Sequence, residues 1–209
     1  MCVIVVSERG TRQPTKATLE TCFRNNPDGA GYMVARAGRV EIHKGFMTFE
    51  DFWRNVHAER FTAADPVVYH FRISTQAGVN PEMTHPFPLS RKPTDLRALD
   101  LNCPIGVAHN GIIPATVDKD SSYSDTAIYI ARYLTRLIRK PSDLDDPYIA
   151  DLIEFTTGSS RMAIMDGDGA IVHTGPGWTR DERDILYSNR SFENRTYVRP
   201  AVGYTYARN

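Results

Sequence analysis

The sequence lacks a long hydrophobic run, an excess of charge of either sign, and more than a few cysteines. Its longest apolar runs, such as Val3-Ile4-Val5-Val6, are strand-sized, whereas a bilayer span needs roughly 20 residues. Because 25 basic residues balance 25 acidic ones, no net field favours nucleic acid or an anionic membrane. The N-terminus has no basic residues followed by an extended apolar segment, so the sequence predicts no signal peptide. We therefore expect a soluble protein with neither a membrane nor a nucleic-acid partner.

Cysteine and histidine are too sparse to predict a disulfide framework or a metal centre. The three cysteines, Cys2, Cys22 and Cys103, form no CxxC pair, and their odd number favours a reducing, cytoplasmic compartment. The six histidines show no short ligand spacing such as HExxH. The segment 166–169 (Asp-Gly-Asp-Gly) is typical of a hairpin turn, since the Glu that a calcium loop needs does not follow. The sequence thus predicts no metal and no cofactor.

The length and the order of patterned segments predict one α+β domain over residues 1–209. A chain of 209 residues with 41% hydrophobic residues is long enough for one well-buried core. The segment 76–101 holds four prolines and is predicted to be irregular. Periodicity and capping signals predict strands at 1–7, 31–37, 39–44, 66–73, 105–109, 112–115, 161–165 and 170–174, one or two more within 181–206, and helices at 15–24, 48–57, 125–139 and 147–156. This order favours mostly antiparallel sheets.

Cys2 is the first candidate for chemistry because it stands directly after the initiator Met. Removal of Met1 would leave a thiol and a free α-amine on one residue, and the amine, with a pKa near 7.7–8.0, can take the thiol proton. Nucleophile and base would then be a single residue. The alternative is a small apolar side chain that opens a buried strand.

The segment His109-Asn110-Gly111 combines a turn signal with two potential hydrogen-bond donors. Asn-Gly between apolar runs predicts a tight hairpin turn, which is its structural interpretation. The same turn can aim the Asn110 side-chain amide and the Gly111 backbone N–H at one point. That is the geometry of an oxyanion hole, which stabilises a tetrahedral intermediate.

Arg72 and Asp125 are the candidate anchors for an amino acid. Arg72 ends an apolar strand, where a guanidinium can hold a carboxylate by two parallel hydrogen bonds. Asp125 follows Ser124 at the start of the clearest predicted helix. Its carboxylate can bind a substrate ammonium. The structural alternatives are an ion pair for Arg72 and helix capping for Ser124 or Asp125.

Six short motifs follow one another along the first two thirds of the chain. They are Met1-Cys2, Asn26-Pro27-Asp28-Gly29-Ala30-Gly31, His70-Phe71-Arg72-Ile73-Ser74-Thr75, Thr84-His85-Pro86, Ala108-His109-Asn110-Gly111 and Ser124-Asp125-Thr126. Each motif alone is weakly specific, whereas their common order is specific. In that order they resemble the glutaminase domain of the class II glutamine amidotransferases, which belong to the N-terminal nucleophile (Ntn) hydrolase superfamily.

The resemblance implies a fold, a reaction and a role for each motif. The implied fold is the four-layer αββα sandwich, and the implied reaction is hydrolysis of L-glutamine to glutamate and ammonia through a γ-glutamyl thioester on Cys2. Asn110 and Gly111 would form the oxyanion hole. Arg72 would bind the α-carboxylate and Asp125 the α-ammonium of glutamine. Thr75 and His85 would line the pocket.

Three departures from the family pattern and the chain length leave other hypotheses open. Val3, Asn25-Asn26 and Ile73 stand where the family usually has Gly, Arg-Gly and an aromatic residue. One alternative is an Ntn-type hydrolase of another amide, such as a γ-glutamyl or acyl amide. Another is a catalytically weak domain that binds glutamine or a partner. Because family members usually carry an attached synthase domain, a separate ammonia-accepting synthase subunit is the expected partner.

Overall fold

The fold is built from two antiparallel sheets with helices on their outer faces. The structure is a computed structural model that describes residues 2–74, 79–113 and 122–194. In chain order the strands are β1 Val3–Ser7, β2 Ala30–Arg36, β3 Arg39–Phe46, β4 Val67–Phe71, β5 Phe87–Pro88, β6 Asp100–Cys103, β7 Ile105–Asn110, β8 Arg161–Asp166, β9 Ile171–Thr174, β10 Thr179–Arg180 and β11 Leu186–Tyr187. One sheet has the order β10-β11-β1-β4-β2-β3-β6, and the other has the order β5-β7-β8-β9.

Two helices begin directly after the threonines that predicted their starts. Thr15 accepts a hydrogen bond from Thr18 N, and Thr48 accepts one from Asp51 N, so both act as N-caps. The helices are α1 Lys16–Asn25, α2 Phe49–Glu59, α3 Pro93–Arg97, α4 Asp125–Tyr129, α5 Thr135–Leu137 and α6 Pro147–Thr157, with a π-helical turn at Ile130–Leu134 and 3₁₀ turns at Pro81–Met83, Pro141–Asp145 and Arg190–Phe192. In the described part of the chain, no helix is long and apolar enough to cross a membrane.

Strand β1 shows why the molecule has four layers. All five of its residues are fully buried, because both faces of the strand are covered. Val3 and Val5 pack with α1 and α2 on one side, whereas Ile4 and Val6 pack against the second sheet on the other. A third apolar cluster joins the second sheet to α4, α6 and the π-helical turn. The layers are therefore helix, sheet, sheet and helix, which confirms the predicted αββα sandwich. That residues 1–209 form a single domain stays a prediction.

The predicted hairpin around Asn110-Gly111 is wrong. Strand β7 pairs with β5 on one edge and with β8 on the other, and the predicted return strand is not formed at Ile112 or Ile113. The remaining residues of that predicted strand lie outside the described ranges. Among the described residues, φ is positive outside glycine only at Ala37, Arg60 and Asp184. Asn110 therefore does not have the conformation that a type I′ turn requires.

Two further segments differ from expectation. The proline-rich stretch 76–101, predicted to be irregular, contains the short strand β5 and the start of β6. The sequence does not predict these strands, because two residues at a sheet edge are too few to show a periodicity. The predicted helix 125–139 is interrupted by the π-helical turn and ends at Leu137. Neither change moves Asp125, which is the first residue of α4.

Candidate active site

The predicted site residues meet at one end of the sandwich, where several strands begin or finish. Val3 pairs with Phe71, so Cys2 lies beside the chain that leaves β4. Asn110 is the last residue of β7, and Ser188 directly follows β11, the other neighbour of β1. Antiparallel pairing therefore brings residues that are distant in sequence to a common edge.

The Cys2 side chain is partly buried and lies within hydrogen-bonding distance of the backbone that follows β4. Its Sγ lies 3.4 Å from the Ile73 nitrogen and 3.5 Å from the Ile73 oxygen. Asn189 Nδ2 donates to the Cys2 carbonyl at 2.7 Å. Burial raises the pKa of the Cys2 thiol, although the Ile73 N–H and the positive N-terminus act in the opposite direction. A base close to Cys2 is therefore needed to form the thiolate at neutral pH.

Cys2 borders two cavities. An open cavity of about 450 Å³ is lined by Cys2, Asn110 and Gly111 among others. A smaller one, of about 30 Å³, is lined by Cys2, Gly111, Arg72 and Asp125 among others. The sulfur and the predicted oxyanion residues thus face one space, while the predicted amino-acid anchors face an adjoining one.

Asn110 is positioned by Ser188, and both side chains are buried. The Asn110 amide nitrogen lies 2.9 Å from Ser188 Oγ, which also accepts the Ile4 N–H at 2.8 Å. In this orientation Asn110 Oδ1 has no partner among the described residues. The two ends of an amide side chain have the same shape, so hydrogen bonding decides between them. Rotation by 180° lets the Ser188 hydroxyl donate to Oδ1 and turns the amide N–H groups away from Ser188.

Gly111 follows in a conformation that favours glycine, with φ of 150°. A Cβ at this position would lie 2.2 Å from Ser160 Oγ and 2.9 Å from Ser160 Cα. The Ser160 hydroxyl itself donates to the Ile112 carbonyl at 3.2 Å. The close approach of the 158–161 segment therefore requires glycine beside Asn110.

Arg72 is 4% exposed and is held by the loop before β2. Its backbone N–H donates to Gly29 O at 2.8 Å, and its carbonyl accepts from Asp28 N at 2.9 Å. Asp28 Oδ2 also accepts from Ser74 N at 2.8 Å. Burial lowers the pKa of Arg72, while Cys2, Asp28 and Asp125 raise it. An arginine side chain with acidic neighbours remains cationic at neutral pH, as a carboxylate anchor must.

Asp125 does not cap α4, because Ser124 does so by accepting from Ala127 N. The Asp125 carboxylate instead accepts the Ile113 N–H at 2.8 Å and the Thr126 N–H at 2.8 Å. The helix start and the chain after Gly111 are thereby tied together. The predicted capping alternative is met by Ser124, and the binding of a substrate ammonium by Asp125 stays a prediction.

Two buried histidines, His85 and His109, line the small cavity, and a third, His70, packs against His85. The rings of His70 and His85 stack with centroids 4.3 Å apart, and His109 Nδ1 lies 2.8 Å from Thr126 Oγ1. Burial lowers the pKa of His70 to about 3 and also lowers those of His85 and His109. All three are therefore neutral at pH 7. His85 lines the small cavity beside Arg72 and Asp125.

The structure thus brings together Cys2, Arg72, His85, Asn110-Gly111 and Asp125, whereas predicted Thr75 lies outside the described residues. Ile73, one of the departures from the family pattern, lines both cavities. The sequence does not indicate three more residues at the site, which are Arg161, Ser188 and Asn189. Asn25 and Asn26, which replace the usual family residues, bind backbone carbonyls at the end of α1 and beyond Ser188.

No group of three or more His, Cys, Asp or Glu side chains in the described part of the chain is arranged to hold a metal ion. The polar groups around Cys2 are instead a thiol, amide and backbone N–H donors, a guanidinium and a carboxylate. This set can activate a carbonyl group and bind the two charges of an amino acid.

Comparison with known proteins identifies the fold. No model of a known protein family matches the chain, and no curated protein matches it in sequence. A solved structure of glutamine phosphoribosylpyrophosphate amidotransferase from B. subtilis matches with a TM-score of 0.54 and 15% identity, covering 90% of this chain and 41% of that one. A structure described as the allosteric regulatory enzyme of purine biosynthesis matches with a TM-score of 0.53 and 16% identity, again covering 90% and 41%. The chain therefore shares the fold of a glutamine amidotransferase, as its motifs predicted, and spans 41% of these longer chains.

Proposed function

We propose that this chain hydrolyses the side-chain amide of L-glutamine, with Cys2 as nucleophile. The observation that carries the proposal is the convergence at one cavity of the Cys2 thiol, the Asn110 amide and Gly111. Arg72 and Asp125 border the adjoining cavity, which Cys2 also lines. Because this cavity has a volume of only about 30 Å³, close to that of one water, the glutamine would extend from it into the open cavity. The opposite charges of Arg72 and Asp125 suit the α-carboxylate and α-ammonium of a free amino acid.

In the proposed reaction, the Cys2 thiolate attacks the carbonyl carbon of the glutamine side-chain amide. The oxyanion accepts hydrogen bonds from the Asn110 amide and the Gly111 N–H. Collapse of this intermediate breaks the C–N bond, and the nitrogen takes up a proton and leaves as ammonia. Water then attacks the γ-glutamyl thioester, which releases glutamate and restores the thiol.

The oxyanion role of Asn110 requires the amide orientation in which Ser188 donates to Oδ1. In that orientation both buried groups are satisfied, and the amide N–H groups are available to the reacting carbonyl oxygen. Ser188 is then a positioning residue, because it acts on the reaction only through Asn110. Its other hydrogen bond, from the Ile4 N–H, anchors the hydroxyl to β1.

The proposed base is the α-amine of Cys2, exposed when Met1 is removed. Burial raises the pKa of the thiol, so a base has to take its proton. The neighbouring histidines have lowered pKa values and would be weak bases. The α-amine of the same residue is therefore the better candidate.

We further propose that the ammonia is passed to a separate synthase subunit. The matched amidotransferase structures are more than twice as long as the part that this chain covers.

The proposal is tested by measuring glutamate released from L-glutamine by the Met1-processed protein. Cys2→Ala should abolish the release, whereas Cys103→Ala, which removes a buried thiol in the sheet core, should retain it. Circular dichroism shows whether both variants are folded. Release that survives Cys2→Ala, or no release by the folded, Met1-processed wild type, would overturn this proposal.

A further inference from the structure

The open cavity beside Cys2 contains one charged side chain that the proposed glutaminase reaction does not use. Among the described residues that line the cavity, only Arg161 is charged. Arg72 and Asp125, the proposed anchors for glutamine, line the smaller cavity instead. The cavity of about 450 Å³ is within the size range of small-molecule sites, roughly 300–1,000 Å³.

Strand pairing fixes Arg161 next to the oxyanion residue. Arg161 is the first residue of β8 and lies directly opposite Asn110 on β7. Side chains of directly opposed residues in an antiparallel pair share one face, with Cβ atoms roughly 4.5–5.5 Å apart. Two positions along, Ala108 and Ala163 form the next pair on that face and pack between the two sheets. Arg161 therefore stands at the end of the gap between the sheets, where Cys2 also lies.

The charge of Arg161 is not neutralised by the described part of the protein. Its Nε donates to the Pro176 carbonyl, which fixes the guanidinium without cancelling its charge. No acidic side chain of residues 2–74, 79–113 or 122–194 forms an ion pair with it. By contrast, Arg36 and Arg180 each bind glutamate at the surface. An oriented cation in a cavity is suited to a ligand with a carboxylate or phosphate group.

The geometry points to a second ligand site in the open cavity, where Arg161 binds the anionic group of a small molecule lying next to Cys2. The class of ligand is a carboxylate- or phosphate-bearing co-substrate or effector, bound in the open cavity beside the glutamine whose side-chain amide reaches Cys2 there and whose α-charges Arg72 and Asp125 hold. The inference deepens the proposed function, since it adds a ligand to the same thiol. It requires only that Cys2 is reachable from this cavity.

Alkylation of Cys2 tests the site without any turnover. Iodoacetate is anionic and iodoacetamide is neutral, so the ratio of their rates reports the local field at the thiol. We expect Arg161→Gln to lower this ratio several-fold and Arg161→Lys to retain most of it. Arg54→Gln is the matched control, because Arg54 is an exposed arginine on α2. Peptide mass analysis assigns the modification to Cys2 rather than to buried Cys22 or Cys103.

Two anions then distinguish the ligand chemistry. Millimolar inorganic phosphate or acetate should slow iodoacetamide alkylation of the wild type and not of Arg161→Gln. Protection by phosphate alone indicates a phosphate-bearing ligand, and protection by acetate alone indicates a carboxylate.

The proposal is overturned if the rate ratio is unchanged in Arg161→Gln, or falls equally in Arg54→Gln. It is also overturned if neither anion protects, or if neither reagent reaches Cys2. Because none of these readouts needs glutamine, a protein without glutaminase activity can still pass the test. Failure of the proposed function and failure of the anion site are therefore separable.

Discussion

Replacement of Ser188 by Ala is the sharpest test of how Asn110 is oriented. The Ser188 hydroxyl is completely buried and is the partner of the Asn110 amide at 2.9 Å. Its removal lets the amide rotate, so the donor for the oxyanion is present for only part of the time. A neutral hydrogen bond contributes about 0.5–1.5 kcal/mol, which corresponds to a loss of about 2- to 13-fold in kcat. The KM for glutamine should stay near its wild-type value.

A double-mutant cycle separates positioning from a general structural effect. Asn110→Ala removes the donor itself and should lower kcat by about 10²–10³-fold. If Ser188 acts through Asn110, then Ser188→Ala should cause no further loss in the Asn110→Ala background. An equal additional loss in that background would refute the reasoning.

The stability of the Ser188→Ala variant is measured alongside its kinetics. The change leaves the buried Ile4 N–H without its acceptor, which costs about 1–3 kcal/mol of unfolding free energy. Ser7→Ala is the matched control, since Ser7 is an equally buried serine at the far end of β1. It should change stability without changing kcat. A kcat loss of the same size in Ser7→Ala would show that the Ser188 effect is not specific.

Four further predictions follow from the same contacts. Arg72→Gln and Asp125→Asn should each raise the KM for glutamine by about 10- to 150-fold, since each weakens a charge-assisted contact of about 1.5–3 kcal/mol. Unchanged steady-state KM values would contradict the proposal that these two residues anchor glutamine. Residues added before Cys2 should abolish glutamate release from a folded protein, because its α-amine is then an amide; retained activity would exclude it as base. Gly111→Ala should abolish activity and lower the melting temperature, because its Cβ would lie 2.2 Å from a serine hydroxyl; wild-type values for both would contradict this. Burial lowers the pKa of His70 to about 3, against about 6.5 when unfolded, so only the unfolded state binds this proton between those values. His70 alone should therefore lower the unfolding free energy by up to about 1.4 kcal/mol per pH unit below pH 6.5, and urea unfolding of His70→Gln should show a smaller slope than the wild type; an equal slope would contradict this.

The sequence predicted the members of the site better than their local structure. Residue chemistry and motif order single out Cys2, Arg72, Asn110 and Asp125, and all four lie around two adjoining cavities, while their roles stay predictions. The Asn110-Gly111 pair nevertheless predicts a hairpin turn that is not formed, because the turn signal depends only on adjacent residues. The partners of β7 are β5, which lies earlier in the chain, and β8, which begins about 50 residues later.

The residues that were missed are those placed by long-range pairing. Ser188 and Asn189 follow a two-residue strand, which is too short to produce a detectable period. Arg161 begins an ordinary hairpin strand, and only its register opposite Asn110 brings it to the cavity. Such roles depend on tertiary contacts, and no local pattern of residue types indicates them.

The central claim is that glutamine turnover proceeds through a thioester on Cys2. The direct measurement is to mix the Met1-processed protein with L-glutamine, quench in acid, digest with pepsin and determine the mass of the N-terminal peptide by mass spectrometry. A γ-glutamyl adduct is expected on Cys2, which disappears with time and is absent from Cys2→Ala. Glutamate production without this adduct, and with full activity in Cys2→Ala, would contradict it.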